Sequence, residues 1–175
     1  MNITVNGIQQ LDLINTDIVS VLETYLLPGR VVELSSRIIK IVQFDGTAGV
    51  GAVGTINLYT VSGGIDFVLE AYCTETLVDA SNLATISVGV TGDTAKIIPI
   101  TGAAGQGGIT IAVNELWHDA SPDSSIELTS DAEKSFTIYN KNIIATIAGE
   151  AITDGVLIFS LLYTPKTSNA VVEAA

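Results

Sequence analysis

The chain has 175 residues, of which 7 are Lys or Arg and 19 are Asp or Glu, a formal net charge of −12. With 47% hydrophobic and only 15% charged residues it has ample material for one packed domain and the wrong composition for a disordered tail. The acidic balance argues against nucleic acid and anionic membrane surfaces as partners, because both are recognised through clustered Lys and Arg.

A single cysteine, Cys73, excludes an intrachain disulfide framework and a Cys-based structural zinc site. The opening MNITVNGIQQ lacks the basic and apolar regions of a secretory signal. The apolar run Val156 to Tyr163 is too short to cross a bilayer as a helix. The expectation is synthesis and maturation in the cytoplasm.

In chain order, Ile18, Val21, Leu22, Tyr25 and Leu26 fall at helical spacing behind Thr16 and Asp17, and Pro28-Gly29 ends the pattern. Residues 1–30 are therefore expected to form an N-terminal arm or short helix, either covering one end of the core or reaching a neighbouring subunit. From residue 31 to residue 175 the period changes to two. Ile65, Phe67, Leu69, Ala71 and Cys73 alternate with Asp66, Val68, Glu70, Tyr72 and Thr74, which predicts a long strand with one buried face. Ile86, Val88 and Val90 repeat the alternation, as do Ile109, Ile111 and Val113, and then Phe136 and Ile138. Three segments are apolar on both faces: Ile38 to Phe44 around Lys40, Ile143 to Ala148, and Val156 to Tyr163. They predict central strands or strands packed against a partner chain.

Turn signals separate these runs at Asp45-Gly46, Ser62-Gly63-Gly64, Thr91-Gly92-Asp93, Ala120 to Asp123 and Asp154-Gly155. The whole reads as an all-β protein, an antiparallel β-sandwich of jelly-roll-like type over residues 31–175. Gly46 to Gly54 and Thr101 to Gly108 are rich in glycine, and the first matches GxGxxG by letter. No helix is expected after either, so neither is read as a phosphate cradle.

Candidate chemistry is sparse. His118 is the only histidine, and no GxSxG elbow accompanies it. Cys73 lies on the apolar side of its strand, where a thiol packs rather than reacts. Glu115, His118 and Asp119 are the one combination with metal-ligand character, but their spacing on a segment leaving a strand does not converge, and a structural histidine is the plainer reading. The acidic run from Glu115 to Glu133 lacks calcium-loop spacing and reads as a solvated face. The expectation is a non-enzyme with no catalytic residue, no cofactor and no metal. Trp117 is either a core anchor at a strand end or an interface hot spot.

The segment Ile109 to Asp123, ITIAVNELWHDASPD, together with Leu58 to Gly63, Ile65 to Leu77, Val88 to Thr94 and Asp154 to Pro165, resembles a family of small proteins encoded by tailed bacteriophages. Its pattern around Trp117 runs N-E-I-W-H-D-A-T-P, so Leu116 and Ser121 are mild departures, as is Tyr163 where the family has Trp near its end. The resemblance runs from Gly54 to Ala175 and implies a virion structural protein, a decoration or cement protein on the outside of the phage head. Implied partners are the major capsid protein and further copies of the chain as a homotrimer. The alternative is a tail, baseplate or head-fibre component binding host-surface carbohydrate, which the 6% aromatic content does not favour. A metal-dependent or carboxylate-pair hydrolase would need His118 or a pair of carboxylates to line a pocket. Expected interface residues are Trp117 and His118, with Arg30, Arg37 and Lys40 as cations able to meet an acidic shell.

Overall fold

The computed structural model describes residues 36–123 and 134–175; the expected arm over residues 1–30, with Arg30, lies outside the described residues. Among these, the strands are β1 (Ser36–Gln43), β2 (Gly54–Ser62), β3 (Gly64–Val78), β4 (Thr85–Val90), β5 (Asp93–Gly102), β6 (Leu116–Trp117), β7 (Ser135–Tyr139), β8 (Ile143–Ala148), β9 (Asp154–Pro165) and β10 (Val171–Ala174). A single 3₁₀ turn covers Gln106–Gly108. The strands form two antiparallel sheets. Sheet 1 has the order β1-β9-β3-β6, with β7 also paired to β3, and sheet 2 has the order β10-β2-β8-β4-β5.

The chain passes repeatedly from one sheet to the other, so most strands pair with partners distant in sequence. β9 lies between β1 and β3, and β8 lies between β2 and β4. The antiparallel sandwich expected from the alternation is the fold that forms, because each sheet has one apolar face and the two can cover each other. On β3, Ile65, Phe67, Leu69, Ala71 and Cys73 are all buried, while Asp66, Val68, Glu70 and Tyr72 remain half-buried on the other face. Leu157, Phe159 and Leu161 of β9 meet them from the same sheet, and Leu58, Ile86, Val88, Ile143 and Ile147 come from sheet 2 into one continuous core. Each such side chain contributes roughly 1.5–3 kcal/mol by leaving water.

Register shifts in two strand pairs account for strands whose period is irregular. The pairing of β2 with β8 shifts between Asn57 and Tyr59, so Leu58 and Tyr59 are both buried although adjacent. The pairing of β4 with β5 shifts twice, and Ile97 and Ile98 are likewise both buried. Tyr59 uses its bulged position to reach across the sandwich, donating its hydroxyl proton to the Phe159 carbonyl of sheet 1 at 2.9 Å. Burial pushes this phenol far above its ordinary pKa, keeping it a neutral donor.

Two expectations change. Ile109, Ile111 and Val113 alternate in the sequence but form no strand: the 3₁₀ turn ahead of them, with Gly105, Gly107 and Gly108 at positive φ, delivers an irregular segment. Isolated backbone bonds hold it, Ile111 N–H donating to Ala103 O at 2.9 Å and Leu77 N–H to Ile111 O at 3.1 Å. Only Ile111 of the three is fully buried. Of the three segments apolar on both faces, β8 and β9 are central strands, whereas β1 is the edge of sheet 1 and leaves Ile39 and Ile41 exposed. The GxGxxG letters belong to a loop that enters β2. A Cβ on Gly51 would lie 2.3 Å from the Ile152 carbonyl oxygen, so this glycine serves a close approach of two backbones.

Candidate functional site

The segment that carries the sequence resemblance begins in a tight turn. Asn114 adopts a left-handed conformation, Glu115 N–H donates to Ala112 O, and the Glu115 carboxylate accepts from Ala112 N–H at 2.7 Å. Asn114 Oδ1 accepts the Tyr72 hydroxyl at 2.9 Å. The chain then pairs briefly with β3, Leu116 beside Tyr72 and Trp117 beside Ala71. A loop follows, closed by reciprocal bonds between Leu116 and Asp123 at 3.0 and 2.8 Å. Inside it Asp119 Oδ1 accepts from Ser121 N–H at 2.7 Å, the local turn that Asp supports.

Trp117 is completely buried. Its indole N–H donates to Thr101 Oγ1 at 3.0 Å, and its ring meets Phe159 edge-on at 6.5 Å. Thr101 stands on β5 of sheet 2, and its hydroxyl lies 3.0 Å from Pro99 O and 3.2 Å from Asp119 O. One hydroxyl thus ties the tryptophan, the loop and the opposite sheet together. Of the two roles the sequence leaves open, this placement is that of a core anchor, since no part of the ring reaches the surface. His118 is also buried, and its Nε2 lies 3.7 Å from Asp123 Oδ2.

The Glu115, His118 and Asp119 combination that the sequence reading set aside does not assemble as such. Glu115 is engaged in its own turn, and Asp123 takes its place: donor atoms of His118, Asp119 and Asp123 all lie within 4.8 Å of one another. These are the residues, among those described, that could hold a divalent cation through one imidazole nitrogen and two carboxylate oxygens. Asp123 was not among the residues weighed with His118 from the sequence, because only the Leu116–Asp123 closure brings that carboxylate back to His118.

Arg37 and Lys40 lie three residues apart on β1 and therefore face opposite sides of sheet 1. Arg37 is exposed on the outer face, opposite Leu162 of β9. Lys40 is half-buried on the inner side, where its Nζ donates to the carbonyl of Ala175 at the end of β10. The two do not share a patch, and Arg30 lies outside the described residues.

The outer face of sheet 1 is the feature the candidate residues leave out. Its pairings align Ile41, Ile158, Tyr72 and Leu116 in one row and Arg37, Leu162, Val68 and Ser135 in another. Between those rows lies a third, Ile39, Ser160 and Glu70, in which Ile39 is 54% exposed; Ile41 is 60% exposed. In sheet 2, Thr55, Thr146 and Ser87 lie side by side across β2, β8 and β4; Thr55 is exposed, whereas Ser87 is buried and donates its hydroxyl to Thr94 O at 3.0 Å. The signal was present in the sequence as the double-faced apolarity of the segments that become β1 and β9. Cys73 is buried, with its Sγ 3.1 Å from Glu75 O, and burial pushes its thiol up to about 11.

No family model matches the chain. No curated protein matches it. Among solved structures it is similar to a chain from the acidic stable capsid structure of Helicobacter pylori bacteriophage KHP30. The identity is 11% and the TM-score 0.42, over 81% of this chain and 100% of that one. A likeness at that TM-score carries no argument about function.

Proposed function

We propose that this chain is a structural protein of a bacteriophage virion that decorates the outside of the head, binding the major capsid protein and further copies of itself as a trimer, without catalysis. The observation that carries the reading is the cluster of exposed Ile39, Ile41 and Leu162 on the outer face of sheet 1, rimmed by Arg37, Ser160 and Glu70. The phage-family resemblance of the Asn114–Pro122 segment points the same way. We read the strand order as a jelly roll: β1-β9-β3-β6 and β2-β8-β4-β5 are the two four-stranded sheets that a pair of Greek keys produces, with β10 added at one edge.

Magnitudes favour an interface on this face. The three long strands β1, β9 and β3, about 4.8 Å apart and taken over eight residues at about 3.4 Å, cover roughly 400 Å² in plan. That is the same order as the ~800 Å² each partner contributes to a standard interface. Exposed aliphatic area of this kind stabilises association by roughly 25 cal/mol per Å² removed from water. The net charge of −12 keeps crowded copies soluble and repels free DNA, both useful on a particle exterior.

The test is co-sedimentation of the purified chain with undecorated shells of the phage that encodes it. The wild type is expected to bind and saturate. The double variant Ile39→Glu/Ile41→Glu is expected to keep its unfolding midpoint, because both side chains already face water, and to bind at least tenfold more weakly. Equal binding of the two would remove sheet 1 from the interface. Wild-type binding to host-surface carbohydrate instead of shells would replace decoration with adhesion.

A further inference from the structure

The two sheets leave one side of the sandwich open. β7 lies along β3 at the edge of sheet 1, β5 lies along β4 at the edge of sheet 2, and neither has a second strand partner among the described residues. Between these two edges is a cleft of about 450 Å³. Val90, Ile97, Phe136 and Ile138 line it with apolar surface, and Lys96 and Lys141 are exposed at its margin. Phe136 and Ile138 pack against the core from outside, and Phe136 stacks on Phe67 at 5.6 Å.

Charge identifies what such a cleft would take. The described residues include only six Lys or Arg, and two of them stand here, in a chain of net charge −12. Neither Lys96 nor Lys141 is in an ion pair among the described residues. Two isolated lysines are too few to hold nucleic acid, which requires an extended basic track. An unpaired strand edge offers backbone donors and acceptors, and a strand laid along it points alternate side chains to opposite sides. We propose that this cleft docks an extended segment of another protein in which apolar and acidic residues alternate, added as a strand along β7. Its apolar side chains would cover Ile97, Phe136 and Ile138, and its carboxylates would reach Lys96 and Lys141. The site is on a different side of the molecule from the outer face of sheet 1, so the proposal stands or falls separately from head decoration.

The probe is a fluorescein-labelled nine-residue peptide alternating Glu and Val, compared with the peptide carrying Lys in place of Glu, titrated by anisotropy into the full-length protein. Saturable binding of the Glu peptide, at least tenfold tighter than the Lys peptide, is expected. Hydrogen exchange should slow at the amides of Ser135–Tyr139 when the Glu peptide is bound. The double variant Lys96→Glu/Lys141→Glu should reverse the preference between the two peptides, and Lys96→Gln/Lys141→Gln should abolish it. Equal affinities, absence of saturation, protection confined to β1, or occupation of the cleft by residues 124–133 of the chain itself would each overturn the proposal. The peptide comparison and the exchange measurement use the wild-type protein and decide the matter even if a variant fails to fold.

Discussion

Trp117 places its indole N–H where water cannot reach it, and the Thr101 hydroxyl is the acceptor that makes this burial tolerable. Thr101→Val keeps the shape, removes that acceptor and also loses the hydroxyl beside Asp119 O. An unfolding free energy lower by about 1–3 kcal/mol is expected, with Thr101→Ser recovering most of it, as read from urea denaturation. Cys73 gives a kinetic counterpart. Its thiol, raised to about 11 by burial, is protonated at neutral pH and closed off from reagents. A disulfide exchange reagent at pH 8 should label the native chain only slowly and the urea-unfolded chain rapidly; fast labelling of the native chain would contradict the core placement. The burial of Cys73 was legible from the alternation along residues 65–73. The setting of Trp117 was not, because its acceptor sits 16 residues earlier in the opposite sheet.

At the scale of elements, long period-two strands were the legible part, because a strand with one wet face records its register in every second residue. β2 and β5 were harder, since their bulges put adjacent apolar residues on the same side. The Ile109–Val113 segment carried the strand pattern without becoming a strand, since glycines at positive φ just before it leave no straight ladder to join. Other ties between elements are polar. Asp66 of β3 accepts from Lys166 Nζ at 2.8 Å, just past the end of β9, and from Thr137 Oγ1 of β7. These bonds, Lys166 first, hold its carboxyl below the ordinary carboxylate range. A carboxyl with a lower pKa folded than unfolded contributes stability above its unfolded value, near 3.9, and loses it as pH falls through the folded value. Asp45 is lowered by Thr47 in the same sense. The drop in urea midpoint between pH 6 and pH 3 should therefore be smaller in Asp66→Asn than in the wild type, without disappearing. An identical drop would show that the tie does not form in solution.

For the whole molecule, the decisive property is the aliphatic cluster on the outer face of sheet 1. Ile39, Ile41 and Leu162 are turned outward there around a half-buried Ile158, a group that a free monomer has no reason to leave in water together. The composition hinted at surplus apolar surface, with 47% hydrophobic residues in a chain of 175, but only the pairing of β1 with β9 shows that Ile39, Ile41 and Leu162 come together. Burial of this face against a phage head is decided by a reconstruction of intact particles at side-chain resolution. Hundreds of copies grouped in threes on the exterior of the shell, with the outer face of sheet 1 buried, are expected. A handful of copies at the tail, or copies on the head with Ile39 and Ile41 facing solvent, would contradict it.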